Sequence, residues 1–239
     1  MPVSDAARTR WPRAPATLPR WTAAAEVVSV FVLIVFYAWG LRGRGPFVGV
    51  IVLLVLLSHA WRRETPAVLG FRSTNFGRCV VAFGPVVAAV AALIVAEARG
   101  HGALAHGWPG VVTPARAFGV LVGYCAWGLV QQWALCGYFF NRLAYAFGAV
   151  RGGSWLAALA AAACFAAAHL SNAYLVGPTF VLGFLCALGY RKYRNLVFLG
   201  LAHGVLGTLL VLLVASALPQ GLRTGPGAGP AARVTGRRR

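Results

Sequence analysis

Between Thr22 and Leu218 the chain is a near-continuous succession of apolar runs, separated only by short segments of Arg, Gly, Pro and His. A helix rises 1.5 Å per residue, so about 20 apolar residues cross the roughly 30 Å hydrocarbon core with every backbone group paired internally. Seven runs can be marked: Thr22–Leu41, Pro46–Trp61, Cys79–Glu97, Ala117–Phe140, Gly153–His169, Ala173–Tyr190 and Asn195–Leu218. The expected fold is an all-α, polytopic transmembrane helix bundle of about seven spans, with six to eight as the range. Composition agrees. Hydrophobic residues make up 59% of the chain and charged residues 11%, too few for a soluble globule.

Charge is distributed unevenly. Asp5, Glu26, Glu64 and Glu97 are the only carboxylates, against 22 Lys and Arg, for a net charge of +18. A nucleic-acid binder would gather such charge on one reading surface. Here it lies in short stretches between apolar runs, as loops facing anionic lipid require, so the expected partner is membrane lipid and not nucleic acid. With the N-terminus inside, 13 Lys and Arg face the cytoplasm and 4 the outer loops, while the tail adds 5 on the far side. The positive-inside rule then places the chain in a cell (inner or plasma) membrane with a cytoplasmic N-terminus.

The organisation is a basic arm (1–21), a helical domain (22–218) and a Gly/Pro/Ala tail (219–239) read as disordered. The arm and first run resemble a signal peptide superficially. The run is about 20 residues long with no small-x-small cleavage site, which makes it a retained anchor. Residues 62–78 read as a loop or surface helix, and Gly84-Pro85 as a kink in the third span. The fourth span can continue towards Phe147. The alanine-rich fifth span has side chains small enough for close helix contact. The five cysteines all lie in apolar runs without metal-ligand spacing, as small packing residues do.

Polar groups inside hydrocarbon are costly and mark candidate sites. Gln131 and Gln132 lie together in the fourth span, and Cys136 is one turn beyond Gln132 on the same face. The fifth span ends in Phe165-x-x-x-His169, and the seventh holds His203 with Gly207 a turn later. Each has a bland alternative. Gln commonly serves as interhelical glue worth roughly 1 kcal/mol, and an interfacial histidine needs no special role. His59, His101 and His106, close to loops, read as bland. Depth reckoning puts His203 about 12 Å from the inner end of its span and Gln131 about 13 Å from Phe140. His169, about 24 Å from the start of its span, falls off level.

The ordered set resembles the CAAX-protease and bacteriocin-processing (CPBP) family of intramembrane endopeptidases. That family carries Glu-Glu-x-x-x-Arg, Phe-x-x-x-His and His-x-x-x-Asn on separate helices. The chain has Gln131-Gln132-x-x-x-Cys136, Phe165-x-x-x-His169 and His203-x-x-x-Gly207, with Leu69-Gly70-Phe71 upstream, over about residues 65–215. The resemblance implies an endopeptidase cleaving membrane-associated, lipidated or signal-bearing peptides. Its implied catalytic positions are Gln131, Gln132, Cys136, His169 and His203, supported by Phe165 and Gly207. In the family the first Glu activates water and His and Asn stabilise the oxyanion. Here both Glu positions are Gln, Arg is Cys136, and Asn is Gly207. The changes are electrostatically consistent, because without carboxylates a buried guanidinium would be unpaired. A neutral amide is no general base.

Three accounts follow. His169 or His203 serves as base with the glutamines polarising; Cys136 is a nucleophile paired with a histidine; or the fold is a non-catalytic scaffold, immunity factor or binder. No cofactor is implied. Two His and one Cys without a carboxylate make a poor zinc set, so no metal is expected.

Overall fold

The computed structural model describes residues 18–40, 45–100, 113–170 and 172–215. Most of the basic arm, the Arg42/Arg44 turn, the loop with His101 and His106, and the tail lie outside them. The helices are α1 (Arg20–Gly40), α2 (Gly45–Trp61), a single turn α3 (Pro66–Leu69), α4 (Phe76–Gly100) and α5 (Pro114–Gln132). A π-helical segment, Trp133–Phe140, carries α5 without a break into α6 (Asn141–Ala146). Then come α7 (Gly153–Ala167), α8 (Ala173–Tyr193) and α9 (Leu196–Leu213). Five stretches are long and apolar enough to cross a bilayer, and Pro46–Trp61 and Gly153–Ala167 are shorter apolar helices. The chain is therefore a multi-pass helical membrane protein. Its outward surface agrees: Val81, Leu93 and Phe118 are 80%, 68% and 68% exposed, a distribution suited to lipid.

Helix limits follow local chemistry. Thr113 and Asn195 cap α5 and α9 by accepting from the N–H groups of Arg116 and Phe198, and Pro114 fills a first-turn position where no N–H is needed. Pro85 is accommodated within α4, which runs on unbroken. α3 ends at Gly70, whose φ of 97° is left-handed and whose hydrogen points at the Arg194 carbonyl. A Cβ there would stand 2.5 Å from that oxygen, so only glycine fits.

Two close packings build the core. α5 and α9 meet backbone to backbone: a Cβ on Gly128 would be 2.4 Å from the Gly200 carbonyl oxygen, and one on Gly204 would be 2.5 Å from Cys125 Cα. Lipid gives no hydrophobic drive between helices, so such small-residue contacts hold them together. The alanines of α7 act alike, with Ala157, Ala158, Ala161 and Ala162 fully buried and Gly183 of α8 seated against Ala162.

The first helix pair is attached by charge. Arg142 of α6 donates from Nε to Glu26 at 2.9 Å and from Nη1 and Nη2 to the two Glu64 oxygens at 2.9 and 2.8 Å. Arg62 also holds Glu26, and Ser58 donates to Glu26 and accepts from Arg142. His59 Nδ1 lies 2.7 Å from Glu64 Oε2, the oxygen that Arg142 Nη2 also reaches. Two of the chain's four carboxylates are thus committed here, with the Arg142 side chain 2% exposed. Burial pushes the Glu64 carboxyl up, but hydrogen bonds from His59 and Arg142 and their charge outweigh it, holding it below its ordinary value of 4.5. A depressed folded-state value contributes stability present above the unfolded value and lost as pH falls through the folded one. Unfolding midpoints in detergent should therefore drop as the pH is taken below about 4.5, and Glu64→Gln should flatten that slope. An unchanged slope in the variant would count against the clamp.

Candidate active site

The fourth span was expected to end near Phe140 or reach Phe147; it continues to Ala146, with the polar pair just before the π segment. π turns are rare and recur at functional sites. Gln132 is 1% exposed and is the hub of the interior. Its Nε2 lies 3.2 Å from His203 Nδ1, and its Oε1 accepts from the Cys136 thiol at 3.5 Å. Gln131 is half-buried and, among the described residues, takes no part in this network.

His169 follows the last turn of α7, with Nδ1 2.8 Å from the Phe165 carbonyl oxygen. The Phe165 ring contacts both imidazoles, with its centroid 5.1 Å from that of His169 and 6.2 Å from that of His203, edge-on to both. Residues of all three motifs therefore stand in one contiguous group. The depth mismatch disappears for two reasons. α6 adds length below Phe140, and α9 starts inside the bundle: Asn195 and Leu196 are 1% and 0% exposed, and Leu196 N–H donates to the Gly70 carbonyl.

With the Gln132 amide oriented as it stands, the hydrogen bonds suit opposite tautomers on the two histidines. A carbonyl can only accept, so His169 carries its proton on Nδ1 and keeps a lone pair on Nε2. The Gln132 amide, with Oε1 taken by Cys136, presents N–H to His203 Nδ1, which accepts and leaves the proton on Nε2. One ring offers a base and the other a donor.

Around His203 a cavity of about 150 Å³ lies between α4, α8 and α9. Val87, Ile94, Leu182 and Leu206 line it, and Cys186 and His203 border it. Gly207 is on the same wall; a Cβ there would stand 2.6 Å from the Tyr124 ring, so the position takes no side chain while that ring is in place. Cys136 is fully buried, bonded to the glutamine and not to a histidine. Among the described residues no group of three His, Cys, Asp or Glu is placed to hold a metal.

Several features escaped the residue pattern. His59 is 4% exposed and bonded to Glu64, not a bland interfacial group. The Gly200-x-x-x-Gly204 spacing around His203 was a legible signal for the α5–α9 contact. The π segment had none.

The fold defines a multi-pass membrane protein with a buried polar group among its helices. Residues 113–209, from the cap of α5 into α9, match the family described as Rce1-like, Type II CAAX prenyl endopeptidase Rce1-like, and this segment contains all three motifs. The CPBP resemblance holds for it, and the activity of that family is of the CAAX intramembrane endopeptidase type. α1 to α4 lie outside the match. No curated protein and no solved structure matches the chain.

Proposed function

We propose that the chain is a CPBP-type intramembrane endopeptidase that works without a carboxylate base. The observation carrying this reading is the placement of His169 and His203 against one Phe165 ring, with His169 Nδ1 on the Phe165 carbonyl and His203 Nδ1 on the Gln132 amide. His169 Nε2 takes a proton from water as the water oxygen adds to the scissile carbonyl carbon. His203 Nε2–H donates to the developing oxyanion, and Gln132 holds that ring in the required tautomer. The proton passes to the leaving amine as the C–N bond breaks, giving an acid and an amine. The Cys136 account is weaker, since a thiol so enclosed in apolar surroundings resists ionisation. The apolar cavity beside His203 suits the hydrocarbon part of a lipidated or signal-bearing membrane peptide. The basic loops favour a cytoplasmic N-terminus in the plasma or inner membrane.

Purified full-length chain in detergent should cleave a lipidated membrane peptide, read by mass spectrometry. His169→Ala should lower the rate by about 10²–10⁴-fold and His203→Ala by about 10²–10³-fold. Cys136→Ser should leave it within about threefold, as a packing role requires. Cleavage unaffected by either histidine change would sink the assignment.

A non-catalytic relative that only binds such peptides is the second reading. It is favoured by Glu26 and Glu64 both being locked onto Arg142, out of reach as substitute bases. An inert native chain that gains cleavage on Gln131→Glu would establish it.

A further inference from the structure

The π segment has a second face that the site does not use. Trp133 and Tyr138 both lie against the His59 ring of α2, at centroid distances of 5.6 and 5.8 Å. In an α-helix, side chains five residues apart diverge by about 140°, because each residue turns about 100°. Wound with i→i+5 bonds, they fall on one face. Bracketing one imidazole with Trp133 and Tyr138 therefore requires the π register. His59 is itself fixed by Glu64, and Glu64 binds Arg142 further along the same helix. The Arg142 guanidinium sits 5.1 Å over the Tyr138 ring, closing the circuit. Elsewhere on this stretch Gln132 meets His203 of α9, and Cys136 meets Gln132. No proline interrupts residues 133–140, so winding that an isolated helix would not choose is held by tertiary contacts.

We propose that His59, Glu64 and Arg142 hold residues 133–140 in the π register and so aim Gln132 and Cys136 into the interior site. They are positioning residues, and two of them come from a part of the chain outside the matched segment. Without them the stretch relaxes to α winding, each turn takes one residue fewer, and side chains along it rotate away from their partners. The inference rests on Gln132 and His203 forming the site, but its test needs no activity, so an inert protein leaves it decidable.

The test uses two full-length single-cysteine chains in detergent, one keeping Cys136 and one keeping Cys125 of α5, with the other four cysteines changed to alanine. Labelling by an uncharged maleimide is timed in each, with and without His59→Ala or Arg142→Lys. The lysine variant keeps the positive charge and loses the forked bonds, so it reports even where His59→Ala fails to fold. Loss of register should speed Cys136 labelling by about tenfold or more while Cys125 stays within about twofold. A Cys136 as protected as before in both variants would overturn the proposal. So would a parallel rise of both thiols, which reduces the cluster to packing.

Discussion

Arg142→Leu should lower unfolding stability in detergent by about 3 kcal/mol, because it leaves Glu64 only His59 and Glu26 only Arg62 and Ser58 as hydrogen-bond partners. Arg142 is the shared partner of Glu26 and Glu64, whose side chains are only 16% and 7% exposed. Removing one member of such a group leaves uncompensated charge, whereas removing all of it can be nearly neutral. The quadruple change Glu26→Gln, Glu64→Gln, Arg62→Met and Arg142→Met, which also removes the second guanidinium on Glu26, should therefore recover much of the loss. Thermal midpoints of the two variants against the parent decide the point. A loss under about 1 kcal/mol for Arg142→Leu, the size of a surface pair, would mean that the cluster is not a clamp.

Gly128→Val should be comparably damaging through geometry alone. Its Cβ would meet the Gly200 carbonyl oxygen at 2.4 Å and the Gly204 nitrogen at 2.9 Å, both backbone atoms that no rotamer change can move. Overpacking of this kind costs about 1–3 kcal/mol, and more where neighbours cannot yield. α5 and α9 must separate, and the 3.2 Å contact between Gln132 and His203 goes with them. Gly123→Val on the same helix is the control, since a Cβ there meets nothing within 4 Å. Equal midpoints for the two variants would refute the close α5–α9 contact.

The spans were legible because bilayer thickness fixes helix length, and the seven apolar runs correspond to the helices found. Ends moved by a few residues where caps decided them, as at Thr113 and Asn195. The ordered polar residues also located the interior group, since isolated polar groups in hydrocarbon must turn inward. What stayed hidden was relational. Glu26 lies in the first apolar run and Glu64 in the polar 62–78 stretch, and nothing local says that one guanidinium six residues past Cys136 would collect both. The π winding was equally hidden, because it depends on which side chains of α2 press against it. The roles proposed for His169 and His203 rest on the Phe165 carbonyl and the Gln132 amide, and spacing alone left them open.

The most direct measurement of the central claim is the pH dependence of peptide cleavage by the native chain under single-turnover conditions. A histidine base predicts one acidic limb, and the loss of that limb together with the rate on His169→Ala. A rate indifferent to pH, or a limb that His169→Ala leaves in place, would contradict a histidine base in a carboxylate-free site.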